Sequence, residues 1–490
     1  MRAETDGTPA GAGGGGPRVV VVGGGVAGLT AALRLLDAGA DVTLLEASDR
    51  LGGKLRTGEI GGVRVDLGAE SMLARRPEAV GLAREAGLAD ALQPPGTATA
   101  SLWTRDALRP MPKGHVMGVP ADPSSLTGVL SEEGVARIAE DSALPRTEVG
   151  EDIAVGEYVA ARVGREVVDR LVEPLLGGVY AGNAYRISLR AAVPQLFAAA
   201  RDHASLTEGV RAIQARTAAD PRTDPVFMGI DGGVGRLPLA VADAVRARGG
   251  RIRTGAPVTG LARTPGGWRL TTGTPAAPEV LAADAVVLAV PAPQAARLLA
   301  AELPAAAADL AEVEYASMAL MTFAFRAEEA DLPQGSGFLV PPVDGRTIKA
   351  ATFAGRKWRW ITAQQPGLQI VRTSVGRHRE DEILGRDDAE LLDLARRDLR
   401  TATGVDAAPV DAHVTRWDQG LPQYPVGHLD RVARIRDQVA QAPGLALCGA
   451  AYDGVGIPAC VASATEAARQ VLAPRPGTDP ASGSAGHAGE

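Results

Sequence analysis

A glycine-rich turn between a β-branched run and an amphipathic helix constrains this chain more than any other feature. Arg18–Val22 (RVVVV) is typical of a strand that is buried on both faces. Gly23–Gly28 (GGGVAG) follows with GxGxxG spacing, and Val26–Ala38 carries apolar residues at helical intervals. Asp41–Leu45 (DVTLL) predicts a second strand, parallel to the first because a helical crossover joins them. Together these elements predict a βαβ unit of the dinucleotide-binding kind.

The glycines and one carboxylate of this unit have separate physical roles. Gly23 allows the tight turn, Gly25 lets the backbone approach a pyrophosphate, and Gly28 lets helix and strand pack closely. The helix start presents free N–H groups and a positive dipole to phosphates. Glu46 lies 18 residues beyond Gly28, where its carboxylate can accept hydrogen bonds from both ribose hydroxyls and disfavours a 2′-phosphate. NADP is therefore not expected; the alternative is a glycine-rich turn without a ligand.

Length and composition set outer limits on fold and function. With 490 residues the chain exceeds a single core, so two or three domains are expected. A net charge of −7 argues against a nucleic-acid partner. No apolar run approaches the roughly 18–20 residues of a transmembrane segment, so membrane contact is expected to be peripheral at most. Cys448 and Cys460 lack metal-ligand spacing, and buried thiols in a cytoplasmic protein are favoured over a disulfide between them.

Elements typical of nucleotide-binding folds recur at the start, middle and end of the chain. We expect an α/β fold in which a discontinuous Rossmann-like domain is interrupted by a mainly helical insert and by a mixed α+β substrate domain. Helices are predicted over Gly156–Val172, Ser188–Ala200 and, rich in charge, Asp387–Thr403. The expected boundaries are 17–105, 226–295 and 433–473 for the dinucleotide-binding domain, 106–206 for the insert, 207–225 and 296–432 for the substrate domain, and 1–16 and 474–490 for disordered tails.

Three later segments distinguish FAD from NAD as the expected ligand. Arg50–Lys54 (RLGGK) and Val65–Ser71 (VDLGAES) follow Glu46, and Gly449–Pro458 (GAAYDGVGIP) opens a helix late in the chain. These segments resemble motifs of the amine-oxidase/protoporphyrinogen-oxidase flavoprotein superfamily. The resemblance implies FAD as cofactor, with RLGGK along the pyrophosphate and the late helix facing the isoalloxazine ring, where its dipole stabilises negative charge on reduced flavin. Lys54 replaces the usual arginine, which keeps the charge but loses the planar fork.

The residues expected to bind the cofactor lie in the glycine turn, after the second strand and in the superfamily motifs. One further member belongs to a strand segment predicted in the middle of the chain (RIRTGAPVTGL). The full set is Gly23, Gly24, Gly25, Val26, Ala27, Gly28, Glu46, Ala47, Arg50, Gly52, Gly53, Lys54, Gly68, Ala69, Glu70, Ser71, Val258, Gly449, Ala450, Val455, Gly456 and Ile457.

Further motifs are spread over nearly the whole chain, excluding both tails: LGAESMLARRPE, VEPLLGGVYAG, GGVGRLP and ATFAGRKW. They resemble the flavin-dependent porphyrinogen oxidases of bacterial haem synthesis, and MPKGHVMGVP and PQYPVGH resemble the coproporphyrinogen-oxidising branch of that family. The resemblance implies oxidation of coproporphyrinogen III to coproporphyrin III by three hydride transfers to flavin, with O2 reduced to H2O2. It leaves open whether a partner of the haem pathway docks transiently. The six histidines are scattered without catalytic or metal-binding spacing, so no catalytic acid, base or metal is assigned.

Coproporphyrinogen carries four propionates, so arginine and lysine are expected to bind its rim by charge-assisted hydrogen bonds. The candidates within the resembling segments are Arg75, Arg76, Arg109 and Lys113, and Tyr424 is a candidate contact with the macrocycle. The alternatives are solvated surface charge for Arg75 and Arg76, exposure in a turn for Lys113, and a core position for Tyr424.

Three other functions are weighed against this one. A flavin amine oxidase usually frames its substrate with paired aromatic residues, whereas here Tyr452 stands alone. A membrane-bound protoporphyrinogen oxidase would carry an exposed apolar face on the helical insert, whereas Ser124–Val159 is rich in acidic residues. A protein that keeps the fold only as a binding scaffold would not need Glu46 and the motif of the late helix.

Overall fold

The first part of the chain contains the βαβ unit that the glycine pattern predicted. The computed structural model describes residues 15–219, 225–274 and 276–473, so the predicted tails lie almost entirely outside the described residues. The two strands and the helix of this unit begin and end within one residue of their predicted bounds. They are β1 (Arg18–Val22), α1 (Val26–Asp37) and β2 (Asp41–Leu45). The elements that follow are β3 (Thr57–Ile60), β4 (Val63–Asp66), β5 (Met72–Leu73), α2 (Pro77–Glu85) and β6 (Leu92–Gln93).

The segment predicted as a helical insert begins with strands and continues as short helices. The predicted helix Gly156–Val172 is interrupted at Gly164, which has φ 94°, and the predicted helix Ser188–Ala200 is interrupted before Pro194. The elements are β7 (Ser101–Thr104), β8 (Ala107–Pro110), β9 (His115–Val116), β10 (Val119–Pro120), α3 (Glu132–Ala139), α4 (Val155–Val163), α5 (Arg165–Val167), α6 (Glu173–Tyr180), α7 (Leu189–Ala192), α8 (Pro194–Asp202) and α9 (Leu206–Ala218).

The middle of the chain returns to the nucleotide-binding style of alternating strands and helices. The predicted strand segment RIRTGAPVTGL forms two strands instead of one, separated at Pro257. The elements are β11 (Phe227–Ile230), α10 (Arg236–Ala247), β12 (Arg251–Arg253), β13 (Val258–Thr264), β14 (Gly267–Thr274), β15 (Ala277–Ala283), β16 (Ala285–Leu288), α11 (Ala292–Leu299) and α12 (Pro304–Ala311).

The last part holds long antiparallel strands and the two helices that the sequence marks most clearly. The predicted helix Asp387–Thr403 is confirmed as α15: the Asp387 carboxylate accepts from the Glu390 N–H at 2.8 Å, and Gly404 ends the helix. The elements are β17 (Tyr315–Arg326), β18 (Gly337–Leu339), β19 (Ala350–Phe353), α13 (Ala354–Lys357), α14 (Arg359–Gln364), β20 (Leu368–Val375), α15 (Asp388–Thr403), β21 (Asp411–Pro422), α16 (His428–Ala440), β22 (Leu445–Leu447) and α17 (Ile457–Leu472).

A five-stranded parallel sheet brings together elements from the start, middle and end of the chain. Its order is β12-β2-β1-β16-β22, so β1 has β2 on one side and β16 on the other. Ligands of open parallel sheets bind outside the carboxyl ends of the strands where the strand order reverses. The glycine turn, Glu46 and Gly449 follow the carboxyl ends of β1, β2 and β22, so the sheet gathers three predicted motifs at one edge.

Both faces of this sheet are covered, which explains the uninterrupted apolar run of β1. Val19 and Val21 pack into a core with α1, α2, α10 and α17. Val20 and Val22 pack into a second core with α11, α12, α16 and the sheet β13-β14-β15. Burial of each valine contributes about 1.5–3 kcal/mol relative to exposure. The prediction of a strand buried on both faces is confirmed.

A seven-stranded sheet forms the second large layer, with the order β21-β17-β20-β19-β18-β7-β8. Its neighbours are antiparallel except for β18 and β7. The helices α4–α9 surround a separate core, against which Leu339 of β18 packs. Within the described ranges, every helix is too short or too polar to cross a lipid bilayer.

Candidate functional site

The glycine turn after β1 is held in place by backbone hydrogen bonds. Gly23 has φ +111°, and its N–H donates to the carbonyl of Leu45, the last residue of β2, at 2.8 Å. The carbonyl of Gly24 accepts from the N–H of Gly52 at 2.9 Å. The RLGGK segment therefore lies against the turn at the carboxyl edge of the parallel sheet.

The helix α1 begins behind this turn with an open N-terminus. Gly25 is its N-cap, without a side-chain cap, and the first turn, which includes Val26 and buried Ala27, contains no acidic residue. A Cβ placed on Gly25 would meet no protein atom within 4 Å, whereas one on Gly28 would overlap the carbonyl oxygen of Gly23. Open space in front of free N–H groups and a positive helix end fits a pyrophosphate.

Glu46 fixes the turn through its side chain. Its Oε2 accepts from the Gly24 N–H at 2.6 Å, and its Oε1 accepts from the N–H and the hydroxyl of Ser48, both at 2.8 Å. Its carbonyl accepts from Ala256 at 2.9 Å, which places Val258, the first residue of β13, near the same edge. A carboxylate offers about four acceptor positions, and these three bonds leave about one for a ribose hydroxyl. The sequence had predicted hydrogen bonds from two ribose hydroxyls.

The RLGGK segment folds back on itself beside α1. The Arg50 Nη2 donates to the Gly53 carbonyl at 2.7 Å, so this guanidinium stiffens its own loop. A Cβ on Gly53 would lie 3.3 Å from the Gly25 Cα, and Ala47 is exposed on the rim. The loop is therefore placed against the open helix end, although the Arg50 side chain is partly engaged.

The segment Gly68–Ser71 passes next to RLGGK and is tied to the seven-stranded sheet. A Cβ on Gly68 would overlap the carbonyl oxygen of Lys54 and lie 3.2 Å from the Trp417 ring. The Trp417 Nε1–H donates to the Leu67 carbonyl at 2.9 Å. Only glycine fits at position 68, because backbone and an indole approach it from two sides.

The carboxylate of Glu70 binds two cations of the chain itself. Its Oε1 lies 2.6 Å from the Lys357 Nζ, and its Oε2 lies 2.6 Å from an Arg372 Nη. Burial alone would raise the pKa of Glu70, but these two charges lower it to about 2. The Arg372 Nη2 also donates to the Gly68 carbonyl at 2.7 Å. Glu70 therefore anchors its segment through its side chain, and only its backbone is left for the predicted cofactor contact, with Ala69 and Ser71 beside it.

The closing segment runs from β22 to α17 and meets the start of α1. Gly449 has φ +123°, and its N–H donates to the Ser463 hydroxyl at 3.3 Å. A Cβ on Gly449 would lie 4.0 Å from the Ala27 Cβ and meet nothing closer. Gly456 is the N-cap of α17 without a side-chain cap, and the first turn, opened by Ile457, again has no acidic residue. Two open helix ends from opposite ends of the chain therefore lie in one site, beside Ala450 and Val455.

The four candidate cations for the substrate differ in whether their charge is already paired within the protein. Arg75 and Lys113 are exposed, and within the described ranges neither has a carboxylate partner. Arg76 forms a salt bridge with Glu78 at 2.6 Å. Arg109 is half-buried with its Nε buried and unpartnered. Arg75 and Lys113 thus keep their charge free for an anion, whereas Arg76 does not.

Tyr424 lies in the core, which was the alternative to a substrate contact. Its hydroxyl donates to the Ala450 carbonyl at 2.5 Å, and its ring stacks on His428 with centroids 3.9 Å apart. The Tyr180 ring, tilted by 53°, lies beside it with centroids 5.6 Å apart, and burial raises the pKa of Tyr424 well above the usual value. Stacking and the hydrogen bond leave little of Tyr424 for a ligand. Its hydroxyl instead supports the closing segment by holding the Ala450 carbonyl.

Sequence reasoning missed the residues that hold the motifs in position. Lys357 and Arg372 act on Glu70 from elements about 300 positions away (287 and 302), so no local pattern announces them. His428 carried a weak signal, since it lies four residues after Tyr424 in PQYPVGH. These residues hold the motifs in position from outside the motif segments that the sequence marked as binding the cofactor.

The family model described as flavin containing amine oxidoreductase matches residues 26–472. This match includes α1, the RLGGK segment and the closing helix α17, which together form the site. This chain belongs to the flavin-containing amine oxidoreductase family. The site supports that membership physically, since open glycine positions and two uncapped helix ends fit FAD.

Curated relatives within this family span almost the whole chain. The coproporphyrinogen III oxidase of Mycobacterium bovis is 40% identical over 458 residues, covering 92% of this chain and 96% of its own. The coproporphyrinogen III oxidase of Bacillus subtilis is 31% identical and covers 90% and 95%. The protoporphyrinogen oxidase of Bos taurus is 29% identical and covers 95% and 99%.

Solved structures of the family share the fold. A candidate protoporphyrinogen oxidase from Exiguobacterium has a TM-score of 0.82 at 34% identity, covering 93% of this chain and 98% of its own. A putrescine oxidase has a TM-score of 0.68 at 15% identity, a likeness that shows the fold alone. The predictions of the flavoprotein family, of the α/β FAD-binding fold and of FAD as cofactor are confirmed. The individual cofactor contacts stay predictions.

Proposed function

We propose that this protein is an FAD-dependent coproporphyrinogen III oxidase of haem biosynthesis. The observation that carries the proposal is its 40% identity to the M. bovis coproporphyrinogen III oxidase over nearly the full length of both chains. The B. subtilis enzyme of the same name, at 31%, supports it. The bovine protoporphyrinogen oxidase, at 29%, makes protoporphyrinogen IX the second candidate substrate.

The reaction removes six electrons in three two-electron steps. In each step one methylene C–H bond breaks with transfer of a hydride, and one proton goes to solvent. Two of the three protons come from pyrrole N–H groups and the third comes from the fourth methylene bridge, because the porphyrin keeps two N–H groups and one hydrogen on each bridge. FAD, when bound, supplies the hydride acceptor and returns the electrons to O2, so three O2 become three H2O2. The protein's task is to hold the methylene carbon within about 3–3.5 Å of the acceptor and to keep it oriented.

The two open helix ends support an orientation for the cofactor. We place the pyrophosphate at the start of α1, in front of Gly25, because the space there is open and the N–H groups are free. Glu46 receives a ribose hydroxyl, and the isoalloxazine lies at the start of α17 beside Gly456. Gly449, which adjoins Ala27, connects the two ends.

The free cations support an anionic substrate. Arg75 and Lys113 are exposed and unpaired within the described ranges, so each can form a charge-assisted hydrogen bond to a propionate. Arg109, with its unpartnered Nε, is the third candidate. A cytoplasmic location, O2 as acceptor and a transient partner from the haem pathway complete the proposal.

Anaerobic mixing of the FAD-loaded protein with coproporphyrinogen III tests the function. Flavin absorbance near 450 nm is expected to bleach within the mixing experiment and to return when air is admitted, with coproporphyrin fluorescence appearing. A parallel experiment with protoporphyrinogen IX decides between the two substrates. Faster bleaching with protoporphyrinogen IX than with coproporphyrinogen III would make protoporphyrinogen IX the assigned substrate. Putrescine is the amine control. Bleaching by putrescine alone would replace the proposal with an amine oxidase.

A further inference from the structure

Two segments from distant parts of the chain meet through an ion pair beside the seven-stranded sheet. Arg170 lies in a π-helical turn (Val168–Val172) that leads directly into α6. Its Nη1 donates to the Asp344 Oδ1 at 2.9 Å and to the Thr104 Oγ1 at 2.7 Å, and only 13% of each charged side chain is exposed. Asp344 lies five residues after Leu339, the last residue of β18. The pair therefore joins the start of α6 to the end of β18.

A strained turn of the sheet is held at the same contact. Arg105 and Asp106 form the two-residue turn between β7 and β8, and both have left-handed backbone, with φ 51° and 56°. Glycine, asparagine and aspartate are preferred in such turns, so arginine at position 105 is strained. The Arg105 N–H donates to the Asp344 Oδ1 at 3.4 Å, and its side chain donates to the Val129 carbonyl at 3.1 Å and to Glu166. Strain of this kind persists only where the surroundings determine the geometry, so this contact is tightly specified.

The other end of α6 is tied to the same sheet and to the closing segment. Ala181, the residue after α6, accepts at its carbonyl from the His378 N–H at 2.6 Å, just beyond β20. Tyr180, the last residue of α6, lies beside the Tyr424 ring, whose hydroxyl holds the Ala450 carbonyl. The helix α6 thus extends from the ion pair to the closing segment and is held against the sheet at both ends.

Between these ends, α6 contains two glycines that the packing of the protein does not require. Gly177 is buried, yet a Cβ there would meet no atom within 4 Å beyond its chain neighbours and the backbone of its own helix. A Cβ on the exposed Gly178 would lie 3.9 Å from the Leu339 Cδ2, which is an ordinary contact. Glycine inside a helix lowers its stability relative to alanine, so two in succession indicate room for a ligand. The cleft between α6 and β18 therefore suits a flat apolar ligand that lies against helix backbone, as a porphyrinogen macrocycle would.

We infer that Arg170 is a positioning residue for the substrate: through Asp344 and Thr104 it holds the start of α6 at a fixed distance from β18. It thereby sets the width of the cleft that receives the macrocycle. Without this tie the start of α6 is freer to move away from the sheet, and the macrocycle loses close contact on one face. The inference rests on the proposed function and deepens it, because it names a residue that controls substrate affinity through the position of a helix.

Titration of the FAD-loaded protein with coproporphyrin III, the product of the proposed reaction, tests this role through the Soret absorbance of the porphyrin. Arg170→Met keeps most of the side-chain length but removes the charge and both hydrogen bonds. Its dissociation constant for coproporphyrin III is expected to rise at least about tenfold, while that for FAD stays within about twofold of the wild type. Arg170→Lys keeps the charge and can reach one of the two acceptors, so a rise of at most about threefold is expected. Arg165→Met, whose wild-type side chain is 75% exposed and pairs with Asp169, is the matched control and is expected to bind both ligands as the wild type does.

A double-mutant cycle shows whether Arg170 acts through Asp344. Asp344→Ala is expected to weaken binding of coproporphyrin III as Arg170→Met does, and the double variant is expected to bind no more weakly than the weaker single variant. Additive losses, or an unchanged dissociation constant in Arg170→Met, would overturn the inference. Equal losses of porphyrin and FAD affinity would also overturn it, because they would assign Arg170 a purely structural role.

Two further outcomes separate this inference from the proposed function and from a failure to fold. If Arg170→Met does not fold, Asp344→Asn keeps the size of its side chain and removes the charge, and wild-type affinity for coproporphyrin III in that variant would contradict the role of the ion pair. A wild-type protein that binds no coproporphyrin III and keeps its FAD oxidised with coproporphyrinogen III would refute the proposed function and this inference together. Wild-type binding with an unaffected Arg170→Met would refute the inference alone.

Discussion

Gly25 and Gly28 are both glycines of the same turn, but only one of them is required by the packing of the protein itself. A Cβ at position 25 would face space that contains no protein atom within 4 Å, so nothing in the protein itself demands glycine there. Gly28 packs against the carbonyl of Gly23, so a side chain there overlaps backbone. The first glycine is therefore expected to serve the ligand, whereas the second serves the fold.

Alanine at each position separates these two requirements. Gly25→Ala is expected to leave the unfolding free energy of the apoprotein within about 1 kcal/mol, because a poorer N-cap is offset by lower entropy of the unfolded chain. Its dissociation constant for FAD is expected to rise at least about tenfold, because the methyl group occupies the approach of the pyrophosphate. Gly28→Ala is expected to destabilise the apoprotein by about 1–3 kcal/mol or more. Urea unfolding and FAD fluorescence titration measure both effects. Unchanged FAD binding in Gly25→Ala would contradict the placement of the pyrophosphate.

His428 is a buried neutral histidine behind the closing segment. Burial lowers its pKa to about 4, and its Nδ1 is buried without a partner. Its Nε2 lies 3.3 Å from the Tyr452 carbonyl. The unfolded chain therefore takes up the proton first, so the stability that His428 contributes is present above pH 6.5 and is lost as the pH falls towards 4.

This histidine predicts an acid-dependent loss of stability. Between pH 7 and pH 5 its protonation in the unfolded chain is expected to lower the unfolding free energy by about 2 kcal/mol. His428→Gln cannot titrate, so the difference in stability between wild type and variant is expected to shrink by that amount over the same range. Urea unfolding of both proteins at the two pH values measures it. Parallel pH profiles would show that His428 is not buried in the neutral form.

At the scale of elements, a buried ion pair ties three helices of the insert together. Asp141 follows α3 and accepts from the Arg162 Nε of α4 at 2.7 Å, and neither side chain is exposed. The same carboxylate accepts from the Ser205 hydroxyl at 2.7 Å and from the Thr207 N–H at 2.8 Å at the start of α9. Hydrogen bonds thus satisfy both carboxylate oxygens, which is what a buried charge requires.

Removal of this carboxylate is expected to loosen the insert. Asp141→Ala leaves Arg162 buried without its anion, so a loss of about 3–5 kcal/mol in unfolding free energy is expected. Asp202→Ala, at the exposed end of α8, is the matched control and is expected to change stability by less than about 0.5 kcal/mol. Urea unfolding followed by circular dichroism compares the two. Equal midpoints for both variants would mean that the pair contributes nothing.

Elements with local signals were predictable, and those built on distant pairing were not. The strand β1, the helix α15 with its Asp387 cap and the helix α17 all follow from apolar periodicity and end signals. The strand β8 falls within the segment predicted as a helical insert, because its pairing with β7 extends a sheet whose other strands lie more than 200 residues later. Likewise the motifs of the site were visible in the sequence, but the cations that engage Glu70 were not.

At the scale of the molecule, FAD is expected to connect the parts of the chain that the parallel sheet unites. The site draws on the turn after β1, on RLGGK and on the start of α17. Trp417 of β21 links the seven-stranded sheet to the same region through the Leu67 carbonyl. A ligand that binds all these segments stabilises them as one unit.

FAD is therefore expected to raise the unfolding midpoint of the whole protein. At a free concentration one hundred times its dissociation constant, FAD adds about 2.7 kcal/mol to the unfolding free energy. Circular dichroism, which reports all helices, and tryptophan fluorescence, which includes Trp417, should shift together in thermal unfolding. If FAD shifts only one of the two signals, the cofactor site and the seven-stranded sheet unfold separately.

Because β22 and α17 come late in the chain, the parallel sheet and the helix that packs on it can be completed only near the end of translation. The strand β1 and the helix α1 emerge early from the ribosome, but β22 and α17 are synthesised some 400 residues later. At about 5–20 residues per second, the nascent chain carries an incomplete sheet for about 20–80 s. Throughout that interval the predicted FAD contacts at the start of α17 cannot form, so the cofactor cannot stabilise the nascent sheet.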